Sequence, residues 1–327
     1  MSPHSELESA IADVIFLGNE RKIPLRGLAS LTQATPNQAK RALDELKKLG
    51  YPLRLSRAGI VERLPFRPID VQKLKAELTT ERIGRRIEWR LHVNSTQDEL
   101  KRLEDEAEDG TVLLAETQRA GRGRLSRSWF SPTGGIWMSI LLKPTWPTSH
   151  QILILALAAA VARVVGNMTK LPSVLKWPND LMVRSRKVAG FLAEAAYQGN
   201  QLDRLIVGLG VNVNIEMTRL PEGLRGLSTS LSHELGRDID RTMLARRIVE
   251  EVDRSYRDFE LGRASELLDD IKRLCSTLGK EVEVRTADGA FKGEALDVGR
   301  DGQLIVRMPD GAILPFHTAD VTHVRQL

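Results

Sequence analysis

Twelve consecutive residues gather groups that handle anions: Gln118-Arg119-Ala120-Gly121-Arg122-Gly123-Arg124-Leu125-Ser126-Arg127-Ser128-Trp129. Glycines let a backbone come close to an anionic ligand and offer it N–H groups. The interleaved arginines supply forked donors for phosphate or carboxylate. Trp129 adds a flat face for a base. The segment is not a Walker loop, because Gly-x-x-x-x-Gly-Lys-Ser/Thr occurs nowhere in the chain. Nor is it a dinucleotide fingerprint, since the third glycine is missing. Taken alone, it reads equally well as a basic surface loop, including one for nucleic acid.

Two further segments narrow the chemistry. Lys176-Trp177-Pro178-Asn179-Asp180 has turn composition and is followed by Arg186-Lys187-Val188-Ala189-Gly190. A lysine and an aspartate in one tight turn suit a triphosphate together with its magnesium. Lys187 opens a strand-like run, where a basic side chain either enters a cleft or is simply solvated. In Gly208-Leu209-Gly210-Val211-Asn212-Val213-Asn214, glycines inside a strand mark close approach of a ligand or a packing kink.

Other chemistries find little support. The six histidines are scattered, most reading as surface residues, and none has metal-site spacing. No Ser-His-Asp or Cys-His arrangement stands out. A single cysteine, Cys275, excludes an internal disulfide and fits a reducing compartment. The net charge of +5 is compatible with phosphate ligands or nucleic acid and diagnostic of neither.

The elements that must position these groups fall into three regions. Composition, 42% hydrophobic and 28% charged, is that of a soluble globular chain, and 327 residues suggest two or three domains. The polar start, MSPHSELESA, is no signal peptide. The longest apolar run, 152–165, is interrupted by Arg163 and too short to span a bilayer. It reads as a buried helix, and a cytoplasmic protein without a membrane partner is expected. In residues 1–66, Leu7, Ile11, Val14, Ile15 and Leu17 have helical spacing. A short helix follows at 25–31. Thr35-Pro36 opens a third, with Ala39, Ala42, Leu43, Leu46 and Leu49 on one face and Gly50 at its end. Strand-like 53–55 and 60–62 flank a turn at 57–59. Three helices and a basic hairpin are the plan of a winged helix-turn-helix. Residues 67–274 mix strands (111–115, 136–142, 205–213) with helices (152–165, 242–259, 264–274), an α+β or mixed-sheet core. Residues 275–327 hold short strand-like runs at 280–286, 293–298, 304–308, 312–316 and 321–324. Asp288-Gly289, Asp301-Gly302 and Asp310-Gly311 separate them, which predicts hairpins and a small SH3-like β-barrel. The fold class is multidomain α+β.

The co-occurrence of these segments in this order closely resembles the biotin–protein ligases, and the flanking units resemble the bifunctional form that is also the biotin operon repressor. The resemblance runs over nearly the whole chain. It implies an enzyme that makes biotinyl-AMP from biotin and ATP, with Mg2+ accompanying ATP and no covalently bound cofactor. Biotin then passes to a lysine of the biotin carboxyl carrier protein of acetyl-CoA carboxylase. By the resemblance, Ser95, Thr96, Gln97 and Gln118 contact biotin, the third residue of the triplet being Gln97 where the family has asparagine. Arg122, Gly123 and Arg124 hold the biotin carboxylate and α-phosphate, and Lys187 neutralises charge there, so Arg122, Arg124 and Lys187 are the expected catalytic set. Trp129 lies under the adenine, and Lys176, Asn179 and Asn212 contact nucleotide or magnesium. Leu125-Ser126 stand where the family often has Arg-Gly.

On the N-terminal unit, Asn37, Gln38, Lys40 and Arg41 occupy the polar side of the third helix. Amide side chains can read adenine and Arg can read guanine. Lys47, Lys48, Arg54 and Arg57 can add phosphate contacts. Residues 1–66 carry ten Lys/Arg and seven Asp/Glu, a modest +3. The expected partners are the carrier protein, operator DNA of biotin genes and a second copy of the chain when biotinyl-AMP is bound. The alternatives are a ligase whose winged helix no longer binds an operator, a sensor without catalysis, or a lipoate-type ligase.

Overall fold

The computed structural model describes residues 3–323, apart from 105, 146, 147, 287, 288 and 318. Asp288 and Val324, parts of a predicted turn and a predicted strand, therefore lie outside the described residues.

The N-terminal unit comprises α1 (Pro3–Phe16), β1 (Lys22–Pro24), α2 (Leu25–Leu31), α3 (Pro36–Lys48), β2 (Leu53–Leu55) and β3 (Ile60–Arg63). Thr35 caps α3 in a full capping box with Gln38, and Pro36 occupies the first turn. Gly50 takes the left-handed conformation, φ 90°, that ends the helix. Ile11, Ile15, Leu28, Leu43 and Leu46 make a separate small core. The expected hairpin is a three-stranded antiparallel sheet of order β1-β3-β2, because Lys22–Pro24 adds an edge strand too short to show as a period-two pattern.

After α4 (Val71–Glu77), a seven-stranded mixed sheet begins. Its strands are β4 (Ile87–Val93), β5 (Val112–Gln118), β6 (Ile136–Leu142), β7 (Ser173–Lys176), β8 (Asp180–Val183), β9 (Arg186–Gln198) and β10 (Gln201–Val211), in the order β4-β5-β6-β10-β9-β8-β7. Only β4 and β5 are parallel; the other pairings are antiparallel. The helices are α5 (Thr96–Arg102), α6 (His150–Thr169), the short α7 (Glu222–Arg225) and α8 (Leu231–Leu235), α9 (Arg241–Glu260) and α10 (Ala264–Leu274). Period two sorts the sheet residues. On β10, Leu205, Val207, Leu209 and Val211 join the core shared with α6 and α9, whereas Ile206 packs with Leu100 of α5 on the opposite face. α6 is the one helix among the described residues long and apolar enough to cross a membrane by composition, and 78% of that stretch is buried within the protein.

The C-terminal strands are β11 (Glu281–Thr286), β12 (Gly289–Val298), β13 (Leu304–Arg307), β14 (Ile313–Phe316) and β15 (Asp320–His323), all antiparallel, in the order β14-β13-β12-β11-β15. β14 and β15 are opposite edges that do not pair among the described residues, so the sheet is open where a closed barrel was expected. Its inner face (Val282, Val284, Ala295, Val298, Leu304, Val306) completes the main core, which leaves no separate interior for a barrel to enclose.

Candidate functional site

A cleft of about 660 Å³ opens on the α5 face of the large sheet. Its floor follows from the period-two pattern. Even positions of β9 and β10 face it, so Gly190, Gly208 and Gly210 remove side chains where space is needed. A Cβ at Gly210 would stand 2.5 Å from Trp129 Nε1, and one at Gly190 2.9 Å from Trp129 Cζ3. The Trp129 ring thus lies on a glycine-paved floor. Its Nε1 is buried without a hydrogen-bond partner among the described residues, a donor the protein itself leaves unused. Lys187 Nζ sits 4.9 Å from the ring centroid and 2.6 Å from Asp180 Oδ1.

The glycine–arginine segment is an ordered hairpin over this floor. Trp129 N–H donates to Gly121 O at 2.8 Å and Gly123 N–H to Arg127 O at 2.7 Å, with Leu125 and Ser126 at φ 54° and 59° forming the tip. Leu125-Ser126 therefore adopt the left-handed turn that an Arg-Gly pair makes at lower steric cost. Arg124 is more than half buried and donates from Nη1 to Ala319 O at 3.0 Å. That burial holds its guanidinium below the usual arginine pKa, while Asp320 and Asp180 oppose the shift. Arg122 turns to two carboxylates, Asp98 Oδ1 and Glu194 Oε1, each at 2.6 Å. Burial alone would lower its pKa; the two carboxylates reverse this and raise it.

At the other end the polar groups are neutral. Gln118 Oε1 accepts from Thr96 N–H at 2.8 Å and from its hydroxyl at 3.0 Å, and Gln118 Nε2 donates to Ser131 Oγ at 2.9 Å. Ser139 Oγ donates to Thr96 Oγ1 at 2.7 Å. Gln97 Nε2 donates to Leu192 O at 3.2 Å, and its amide occupies the space beside Gly208, where a Cβ would lie 2.8 Å from Gln97 Cδ. The cleft therefore joins an amide-and-hydroxyl end to an end carrying Arg124, Lys176 and Lys187. That pairing suits a ligand with a neutral hydrogen-bonding head and an anionic tail.

Most expected residues converge here. Thr96, Gln97, Gln118, Arg122, Gly123, Arg124, Trp129, Lys176, Asn179, Lys187 and Asn212 all line the cleft. Ser95 does not: it is 1% exposed at the start of α5, beneath the lining. Asn179 Nδ2 donates to Phe191 O at 2.6 Å and Asn212 Nδ2 to Thr229 O at 3.0 Å, so both brace backbone at the rim. Asn37, Gln38, Lys40 and Arg41 are exposed on α3, far along the chain from this site, and Gln38 Oε1 is taken up by Thr35 N–H at 2.8 Å.

Two contributions escaped the sequence. Asp320, Val321 and Thr322 of the C-terminal sheet form one cleft wall. Trp177, 1% exposed, donates from Nε1 to Gly302 O at 2.9 Å and from its backbone N–H to Thr277 Oγ1 at 3.0 Å, fastening the Lys176–Asp180 turn to that sheet. A side chain in one region meeting a backbone carbonyl 125 residues later leaves no local pattern. Most of the histidines were expected at the surface; His92 is 1% exposed. No cluster of three or more His, Cys, Asp or Glu suited to a metal occurs among the described residues.

Residues 89–212, which carry most of the cleft lining, match the biotin/lipoate A/B protein ligase family, and residues 277–324 match the biotin protein ligase C-terminal domain. The chain is 32% identical to the bifunctional ligase/repressor BirA of Bacillus spizizenii over 85% of this chain and 87% of that one. It is 31% identical to the biotin–[acetyl-CoA-carboxylase] ligase of Mycobacterium tuberculosis, covering 79% and 97%. The biotin protein ligase of Aquifex aeolicus, solved with biotin and ATP, superposes with a TM-score of 0.65 at 30% identity, covering 74% of this chain and all of that one. With its two-ended cleft and its similarity to BirA along most of both sequences, the chain belongs to the biotin protein ligases.

Proposed function

We propose that the cleft makes biotinyl-5'-AMP and passes the biotinyl group to a lysine of the biotin carboxyl carrier protein of acetyl-CoA carboxylase. One observation carries the reading: a buried amide-and-hydroxyl set (Thr96, Gln97, Gln118) lies in one cleft with Arg124, Lys176 and Lys187 around Trp129. Biotin's ring system fits the first end, with Ser95 supporting Thr96 from below. Its carboxylate and the ATP α-phosphate fit the second, with Gly123 giving the chain room beside them. Trp129 backs the adenine, and Asn179 and Asn212 shape the nucleotide rim. A carboxylate is already a nucleophile and needs no general base. It attacks the α-phosphorus, the bond to the bridging oxygen breaks, and pyrophosphate leaves. Charge gathers on phosphoryl oxygens, where Arg124 and Lys187 are placed to stabilise it. Mg2+ would enter with ATP and neutralise phosphate charge, and Asp180 would offer it a carboxylate. The acceptor lysine's amine then attacks the carbonyl carbon and AMP leaves.

The same reading makes residues 1–66 a winged helix-turn-helix, 67–274 the catalytic unit and 275–327 an SH3-like module left open. Asn37, Gln38, Lys40 and Arg41 would face operator DNA of biotin genes, with a homodimer forming on biotinyl-AMP. The exposed α3 face and the bifunctional name of the Bacillus relative support this. A second reading, a ligase without operator binding, is favoured by Gln38 and Lys48: Gln38 Oε1 is engaged in the helix cap, and Lys48 pairs with Glu45 at 2.7 Å.

The test is transfer of labelled biotin from biotin and MgATP to a carrier-protein biotin domain, with Lys187→Ala in parallel. Transfer by the wild type, reduced on the order of a hundredfold or more in the variant, is expected; no transfer by the wild type rejects the ligase. For the repressor, binding to a palindromic operator with biotin and ATP must exceed binding to random DNA at the same salt.

A further inference from the structure

Two carboxylates that the adenylation chemistry does not use converge on one guanidinium. Asp98 comes from the first turn of α5, next to Gln97, and Glu194 from the cleft face of β9, beyond Leu192. Arg122 reaches across between them, Nη1 to Asp98 Oδ1 and Nη2 to Glu194 Oε1, both at 2.6 Å. We propose that Arg122 is the strap of the closed glycine–arginine hairpin, and that Asp98 and Glu194 are the positioning residues that latch it and so retain the acyl adenylate until an acceptor lysine arrives. The inference rests on the ligase reading above.

Three observations support it. First, the fork ties the hairpin to two separate elements beside the amide end, α5 through Asp98 and β9 through Glu194. Second, Arg122 lies within the hairpin ladder, where it forms a bridge with Ser128, so fixing its side chain fixes that strand. On either side of the tip, Arg124 is held by Ala319 O and Arg127 by Asp320, so the hairpin is fastened to the C-terminal sheet as well. Third, the charge is already matched. Arg122 meets two carboxylates and adds little positive potential toward a phosphate, whereas Lys187 meets one, Asp180, and Arg124 donates to a neutral backbone carbonyl at the anionic end. All three side chains are about one-third exposed, Arg122 and Asp98 at 36% and Glu194 at 34%. Partly hydrated pairs are weak enough to open for substrate entry and product exit. A mixed anhydride exposed to water is lost to hydrolysis, so a cover that opens rarely serves the second half-reaction.

The experiment uses the full chain with labelled biotin, MgATP and pyrophosphatase, without an acceptor. It compares the fraction of adenylate released into a protein-free filtrate per pyrophosphate formed. Asp98→Asn with Glu194→Gln is expected to raise the released fraction about fivefold, and Asp98→Glu with Glu194→Asp to restore retention. Thermal unfolding checks that each variant is folded, and the single substitutions replace the double one if it is not. Retention equal to or better than wild type overturns the latch; better retention is what an anion-holding Arg122, freed from competing carboxylates, would give. If the wild type forms no pyrophosphate, the ligase reading fails, and the latch with it.

Discussion

The carboxylate of Glu8, on the first helix, lies 3.2 Å from Arg119, the residue that leads out of β5 into the glycine–arginine hairpin. It is also 3.2 Å from His92 Nε2, whose Nδ1 meets Thr117 Oγ1 at 2.9 Å. The far stem of the hairpin is tied to the same N-terminal unit: Thr133 donates its N–H to Leu49 O at 2.7 Å and its hydroxyl to Gly50 O at 3.0 Å. Glu8 and His92 are 3% and 1% exposed, so removing Glu8 leaves His92 Nε2 buried without its carboxylate. Glu8→Ala is expected to cost about 2–3 kcal/mol in urea unfolding, and Glu8→Gln less, since an amide still bonds to His92. A loss under about 0.5 kcal/mol, the range of ordinary surface changes, would contradict this account.

A methyl group at Gly210 would meet Trp129 Nε1 at 2.5 Å, and the obstruction is a rigid indole over a sheet strand. Neither can yield without lifting the ring from the cleft floor. Gly210→Ala is therefore expected to raise the KM for ATP about tenfold or more while the KM for biotin moves less, because the amide end is built on Gly208 and Gln97. Steady-state pyrophosphate release, varied in each substrate, decides it. Equal rises in both KM values would place Trp129 elsewhere in the reaction.

How much of this was readable beforehand depends on the range of the interactions involved. The Thr35-Pro36 cap and the 264–274 helix signal over a few residues, and both appear where the sequence put them. The glycines at 208 and 210 were readable as close approach, although only the sheet register names Gln97 and Trp129 as the groups approaching. β4 and α5 went unread, and with them the partners of the hairpin. IEWRLHV mixes charge into a strand that packs against the N-terminal unit, and the seven residues of α5 are too few for helical periodicity to emerge. The type of Arg122 and its glycine neighbours point to an anion, whereas the two carboxylates that it meets, Asp98 and Glu194, are 24 and 72 residues away and leave no local signal. The barrel was inferred from strand count and Asp-Gly turns, which cannot show whether the outer strands meet.

Cys275 follows α10, bridged to Leu175 at the edge of the large sheet, and is 8% exposed. Burial raises its thiol pKa, with hydrogen bonds from Thr277 and Leu278 opposing only in part. A buried, protonated thiol is a poor nucleophile. At pH 8 it is expected to react with an aromatic disulfide reagent about a hundredfold more slowly in the native protein than in guanidinium, at a rate that follows opening of the α10–β11 connection. Rapid stoichiometric labelling of the native protein would show that this junction is open in solution.

Asp109 supplies a pH signature. It is half-buried between α9 and the β6 end, accepting Lys143 N–H at 2.8 Å and the Tyr256 hydroxyl at 3.3 Å, with Arg82 Nη1 at 3.4 Å. Burial raises its pKa above the ordinary 3.8, and the Lys143 and Arg82 contacts offset this only in part. The folded protein therefore keeps the Asp109 proton to a higher pH than the unfolded chain does. Across the interval from 3.8 up to the folded value the native state binds more protons, so this group's contribution to stability falls as pH rises and is constant above it. Asp109→Asn keeps an oxygen for Lys143 N–H and cannot ionise. The stability of the variant relative to wild type should climb with pH through that interval and then level off. Urea unfolding of both proteins at half-unit steps upward from pH 3.5 measures the difference; a flat or falling difference would mean that hydrogen bonds to the carboxylate, not its burial, set the Asp109 equilibrium.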